Sequence, residues 1–493
     1  MLSISPGMSP DNAQKYYFQK DPMVATEKCG EWLGKGAKAL GLPDHVKKED
    51  FKAVTEGRNP HTSERLVRPK ITKDQQGNTI ETHRACNDLT FSTSKSVSIA
   101  YAAGLTEVKG YWDASVKTVM QYVERHYSHY RDRDGIQHAD NLVAGKFDHT
   151  ISRAGDPNLH SHCPVMNIVW DQAGNWKANA PLNVFKDQKI IGLLVRAEMI
   201  HRLEEKAFEI VYTDREQLLF ELKGFEPGGI YQNLITTFST RRDAISAQVN
   251  QWREKGEHEG VREAKLHEMA ALETRATKDK SLTRGQVQEA WNEGFRHAGT
   301  TPEQVLVYLE DSRRKNLETS QEKEYPEEQK AMSAADVLNQ AAFHLAETEE
   351  VITPGGMLGM LARISGGRHS LAELSQTLES QKVTGLDRPG AKEGREICTP
   401  EANNGLAGTI YSITGNMEVN AWLDKIEQQE GIRPSGDIQR HDLNELPGGQ
   451  VSAIIKSSEL DSRSNILESV RQESSPQTEE GPEQQIEMDM VAL

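Results

Sequence analysis

The stretch HTISRAGDPNLHSHCPVMN, from His149 to Asn167, holds three histidines in the spacing His149-x10-His160-x-His162. HSHCPVMNIVW reads as a strand, and side chains on a strand repeat every two residues, so His160 and His162 share one face. Pro164 interrupts that reading, because a proline removes a ladder hydrogen bond from a central strand. The strand is retained with its middle in question. Two imidazoles on one strand face, joined by a third from a neighbouring strand, can bind a divalent ion through nitrogen and leave positions open for water or substrate. The chain has 16 histidines, so some fall at short spacing by chance, and the pattern by itself does not choose between a hydrolase and a nuclease. Cys163 falls on the opposite strand face and reads as a buried small apolar residue rather than a ligand.

Upstream, NDLTFSTS (87–94) alternates Asp88, Thr90 and Ser92 with Leu89 and Phe91, which predicts a strand with one polar and one apolar face. Asp88 is the candidate base, or the group that orients a histidine. Ser9-Pro10-Asp11 has the composition of a helix start, an N-cap followed by proline and an acid in the first turn. Tyr16 and Tyr17 then lie two turns into a short helix. A phenol with a pKa near 10 attacks phosphorus only where a base or metal stabilises phenolate, and otherwise such tyrosines are packing residues. The strings GKGAK (34–38) and AGKFD (144–148) lack the spacing and the Ser/Thr of a phosphate-binding loop, so no nucleotide-driven motor is expected.

The 493 residues carry a net charge of −16, but residues 301–493 contain 17 Lys+Arg and 34 Asp+Glu, leaving 41 and 40 of the total 58 and 74 to residues 1–300. The excess negative charge is therefore C-terminal, and the first 300 residues are free to carry a local basic groove. Four scattered cysteines without a CxxC argue against a disulfide framework or zinc ribbon. No apolar run is long enough to span a membrane, and MLSISPGMSP has no signal-peptide pattern, so a soluble cytoplasmic protein is expected. The organisation expected is an α+β domain over 1–300, a polar linker over 301–332, a small helical region over 333–425 and a disordered acidic tail over 426–493. Within the helical region, Thr353-Pro354 and the box Ser370-x-x-Glu373 mark helix starts.

Together with EWLGKGAKALGL (31–42), EGRNP (56–60), NWKA (175–178), FSTRRDAI (238–245) and ETRATKDKSL (273–282), these motifs make residues 1–300 resemble the relaxase domain of MobF-type conjugative relaxases. That is the TraI/TrwC group within the HUH endonucleases. The resemblance implies a central antiparallel sheet flanked by helices, with helical segments after 187 closing over single-stranded DNA. It implies a site- and strand-specific nickase acting at an origin of transfer. His149, His160 and His162 would hold Mg²⁺ or Mn²⁺, with Zn²⁺ as a further candidate. Tyr16 would attack to leave a 5′-phosphotyrosyl adduct, with Tyr17 beside it and Asp88 in the position of the activating acid. Lys95 and Arg153 fall in matching motifs as DNA phosphate contacts.

The resemblance further implies a type IV secretion coupling protein and accessory relaxosome proteins as partners, and export of the protein with its DNA from a donor cell. Residues 335–385 resemble the region preceding the helicase of long relaxases; the helicase is absent, which reads as a short or truncated relaxase, and residues 1–300 are expected to suffice for nicking. Three departures stand out: Ser94 replaces a usual proline, Pro164 enters the histidine strand, and Met23-Val24 stand where many members have a second tyrosine pair. Two other readings use the same residues. One is an HUH replication initiator, the other a non-catalytic DNA-binding regulator that kept the fold.

Overall fold

The structure is a computed structural model that describes residues 2–5, 7–18, 30–73, 79–133, 135–180, 184–274, 283–322, 332–348, 351–352, 354–380, 383–386, 395–397 and 411–412. Its centre is a five-stranded antiparallel sheet in the order Leu2–Ile4, Cys86–Ser92, Pro157–Met166, Ala144–Ile151, Glu31–Leu33. Alternation assigns the two faces. Leu89, Phe91, Leu159 and Cys163 turn into a large core with the helices Glu107–Tyr127 and Gln188–Glu204. Phe147 and Cys86 turn the other way, against Tyr17 and Phe51 from the helices Pro10–Tyr17 and Lys48–Thr55.

Pro164 does lie within a central strand, and the register explains why it is tolerated. It stands opposite Asp88, whose carbonyl accepts a hydrogen bond from the Ser5 N–H on the far side, at 3.0 Å. No ladder bond between Pro164 and Asp88 is required at that rung; the Pro164 nitrogen faces the other neighbour, Ala144–Ile151, where the paired residues step from Ala144–Val165 to Phe147–His162 and the proline's rung is skipped. Ser94, another of the departures, is the N-cap of helix Lys95–Ala103; its side chain makes no capping bond, and its φ of −67° is one that proline also adopts. The predicted start of the first helix is as observed: the Ser9 side chain accepts from the Asn12 N–H, and Pro10 occupies the first turn.

The glycine-rich loop around GKGAK contains an anion after all, but an internal one. The Glu124 carboxylate accepts from the backbone N–H of Lys35 at 2.6 Å and of Leu142 at 3.0 Å. Gly34 has φ +96°, and a Cβ there would lie 2.2 Å from the Leu142 carbonyl oxygen. Only glycine lets the two segments approach around that carboxylate.

The expected linker over 301–332 needs correction. Helix Pro302–Glu322 fills much of it, opened by Thr301, whose hydroxyl accepts from the Gln304 N–H. Val305 and Leu309, one turn apart, are buried in the main core, and the Arg313 guanidinium lies over the Phe208 ring. The polar composition of NLETSQEKEYPEEQ obscured an amphipathic pattern that begins before it.

Three further helices follow, Ala334–Thr348, Pro354–Ser365 and Leu371–Ser380, and the described residues of 333–425 also form the strand pairs Val351–Ile352 with Tyr411–Ser412 and Val383–Leu386 with Arg395–Ile397. The helices do not stand apart from the preceding residues. Val337, Leu338, Met357, Leu361 and Leu374 join the large core against helix Gln188–Glu204. The buried Glu198 carboxylate accepts from the Leu371 N–H at 2.9 Å, and the carbonyls of Gly366 and Gly367 receive bonds from Tyr212 and His201. The expected acidic tail over 426–493 lies outside the described residues, as do Met23 and Val24. Among the described residues, no helix is long and apolar enough to cross a membrane.

Candidate active site

The register of two strands assembles the site. His149 on Ala144–Ile151 stands directly opposite His160 on Pro157–Met166, and His162 follows two residues later on the same face. The three rings form a near-equilateral triangle with centroids 5.1–5.2 Å apart. One nitrogen from each lies within 4.8 Å of the other two.

Hydrogen bonds fix which nitrogens face inward. His160 Nδ1–H donates to the Asn158 carbonyl at 2.9 Å, and His162 Nδ1–H donates to Asp88 Oδ2 at 2.7 Å. The Nε2 lone pairs of both are thereby left for a ligand. The donor set fits a divalent metal: three imidazoles, two of them oriented from behind.

Tyr16 completes the cluster. Its hydroxyl lies 3.2 Å from His162 Nε2, the nitrogen facing the ion site. Asp88 engages the opposite nitrogen of the same ring, so its observed bond orients His162. Asp88 is 3% exposed, and its Oδ1 has no hydrogen-bond partner among the described residues.

The turn of the helix sends the Tyr17 hydroxyl elsewhere, although its ring still meets His162 edge-on with centroids 6.0 Å apart. Tyr17 is 2% exposed, stacks on Phe147 at 5.0 Å and directs its hydroxyl to Met8 Sδ. Burial, and then the charge of Asp88, hold its phenol far above the ordinary value. The candidate phosphate contacts also divide. Lys95 Nζ donates to the Pro157 carbonyl at 3.0 Å, and burial lowers its pKa. This lysine braces the end of the histidine strand. Arg153 lies partly exposed in the 152–156 turn between the two ligand strands.

Behind the histidines, the other sheet face carries a buried polar network. Trp112 Nε1–H donates to Ser161 Oγ, which donates to Asp148 Oδ1 at 2.6 Å. Lys146, with no side-chain exposure, lies 2.7 Å from Asp148, 3.1 Å from Asp113 and 3.3 Å from Glu31. Burial opposes its charge, but the carboxylates together hold its pKa above the ordinary value. Asp148–Ser161 is the rung beside His149–His160, so this network holds the register on which the triangle depends.

The sequence reading missed Thr90, whose hydroxyl lies 3.0 Å from both Asp88 Oδ2 and His162 Nδ1. Its position two residues beyond Asp88 on the polar strand face was the available signal.

Residues 8–298 match the family model described as TrwC relaxase. The chain belongs to the TrwC relaxase family. It is 30% identical over 292 residues to the multifunctional conjugation protein TraI of Escherichia coli, an alignment that covers 56% of this chain and 15% of that protein. The chain thus spans only a small part of the length of the TraI proteins it matches. Among solved structures, it resembles the conjugative relaxase TrwC in complex with oriT DNA in its metal-bound form. That likeness has a TM-score of 0.52 and 26% identity, and covers 61% of this chain and all of that one. TrwC with a 27-mer DNA comprising the recognition hairpin and the cleavage site is similar, with a TM-score of 0.51 and 26% identity over the same shares. Membership of the family sets aside the replication-initiator reading, and the observed sheet is the antiparallel fold that the motifs implied.

Proposed function

We propose that this chain nicks one strand of DNA at an origin of transfer by tyrosine transesterification. The observation that carries the reading is the Tyr16 hydroxyl seated on the inward nitrogen of a three-histidine triangle. Tyr16 Oη forms a bond to phosphorus as the bond to the 3′-oxygen breaks. The phenolic proton leaves, and the departing oxygen takes one up to become a 3′-hydroxyl. One phosphoester replaces another, so the strand can be rejoined by reversal. His149, His160 and His162 would hold the ion, which we take to be Mg²⁺ or Mn²⁺; when bound, it supplies Lewis-acid polarisation of the scissile phosphate. Asp88 keeps the His162 ring in place and in the tautomer that leaves Nε2 free. Lys95, at the end of the histidine strand, and Arg153, in the 152–156 turn, are the proposed phosphate contacts. A cytoplasmic location, a secretion coupling protein and accessory relaxosome proteins belong to the same reading.

The test uses labelled oligonucleotides from the protein's own replicon. With Mn²⁺, a covalent band should form on the wild-type chain, and His160→Ala or His162→Ala should abolish it while leaving a retarded, non-covalent band, since affinity rests on backbone and groove contacts. Adduct formation at the wild-type rate in excess EDTA would refute a metal-assisted mechanism. Retardation without any covalent band on the wild type would favour the non-catalytic binder instead.

A further inference from the structure

Three atoms behind the metal triangle form a second, smaller triangle. Asp88 Oδ2 lies 2.7 Å from His162 Nδ1, and Thr90 Oγ1 lies 3.0 Å from each of them. The bond types are dictated by the donors. His162 has one Nδ1 proton, which goes to the carboxylate at the shorter distance; the Thr90 proton therefore also goes to Asp88 Oδ2, and its oxygen flanks the imidazole N–H. Asp88 Oδ2 thus accepts twice, while its buried Oδ1 has no hydrogen-bond partner among the described residues. Among the described hydrogen bonds both fall on Oδ2, and without Thr90 the imidazole N–H alone would set the carboxylate's terminal torsion. Strand geometry supplies the precision, because Thr90 is directly opposite His162 in the register and shares a face with Asp88.

We infer that Thr90 is a positioning residue, whose hydroxyl pins the Asp88 carboxylate and thereby fixes the orientation and tautomer of the His162 imidazole. This rests on the metal-site reading given above. The hydroxyl is the essential element, and the threonine methyl is not. Valine has the same shape without the donor, whereas serine retains the donor in a smaller side chain.

The experiment compares the full-length wild type, Thr90→Val and Thr90→Ser, using Mn²⁺ as the probe. Calorimetric titration should show Mn²⁺ binding weakened about 10- to 100-fold in Thr90→Val, the range expected for groups that orient a metal ligand, with Thr90→Ser close to wild type. Histidine ¹⁵N spectra of the metal-free protein should show His162 as a single Nδ1–H tautomer in the wild type and Thr90→Ser, and as a mixture in Thr90→Val. A folded Thr90→Val with wild-type Mn²⁺ affinity and an unchanged tautomer would overturn the inference. So would Thr90→Ser binding Mn²⁺ as weakly as Thr90→Val, and that result stands even if valine disturbs folding. A wild type that binds no Mn²⁺ would sink the metal-site reading instead, and the tautomer comparison would still decide the role of Thr90.

Discussion

Tyr16 and Tyr17 are adjacent, yet a helix turns successive side chains about 100° apart, and that rotation divides their roles. Tyr16 reaches the histidine triangle, whereas Tyr17 fills the core between Phe147 and Phe51 with a phenol that burial keeps protonated. Tyr16→Phe should lower adduct formation by roughly three orders of magnitude or more, as removal of a nucleophile does. Tyr17→Phe keeps the ring packing and should retain most of the adduct at a stability cost below about 1.5 kcal/mol, the net worth of one hydrogen bond. Peptide mass spectrometry of the adduct and a thermal melt check both, and an adduct mapped to Tyr17 would reverse the assignment. The sequence made the pairing of Tyr16 with the histidines legible through family spacing, because alternation on a strand is strictly local. It could not separate Lys95 from Arg153. Both are basic residues in matching motifs, and only the fold shows that Lys95 spends its charge-bearing nitrogen on the Pro157 carbonyl.

At the scale of elements, the junction between helix Glu107–Tyr127 and strand His129–Asp132 concentrates histidines. His126 and His129 both have pKa values lowered to about 4, by burial first and then by the neighbouring charges of Arg125 and His138. Their folded values lie below the ordinary 6.5, so the unfolded chain takes up protons that the folded one refuses. The stability they contribute is complete above pH 6.5 and declines as pH falls towards 4, by up to about 1.4 kcal/mol per pH unit for each histidine. The melting temperature should therefore be lower at pH 5 than at pH 7, and His129→Gln should flatten that difference; an unchanged slope would assign the acid sensitivity to other groups. The elements themselves were readable where a cap or an alternation announced them, as at Ser9 and Ser370. They were not readable where a distant side chain completes them. Glu124 filling the loop at Gly34 and Gly36, and Glu198 capping the helix at Leu371, are separated from their partners by 89 and 173 residues.

At the scale of the whole molecule, the large core extends past the family match. Val305, Leu309, Val337, Leu361 and Leu374 cover apolar surface that a chain ending near residue 300 would expose. Residues 1–300 hold every proposed catalytic group and should still nick, but should melt more than about 5 °C below a fragment ending at 380, given several kcal/mol of lost burial. Equal melting temperatures for the two fragments would show that the added helices contribute nothing to the fold. The C-terminal helices are built on the face of the sheet that carries Leu159 and Cys163, whereas the histidines project from the other. The helix Leu371–Ser380 is thus moored on the stern of the enzyme, with the sheet and a helical layer about 10 Å thick between it and the histidines. That exceeds a Debye length of about 8 Å at physiological salt. Charge held on the stern is screened from the phosphates that approach the bow. Cutting away the acidic residues 426–493 should leave the slope of oligonucleotide affinity against salt concentration unchanged, while a steeper slope in the shortened chain would mean that this segment reaches round to compete with DNA.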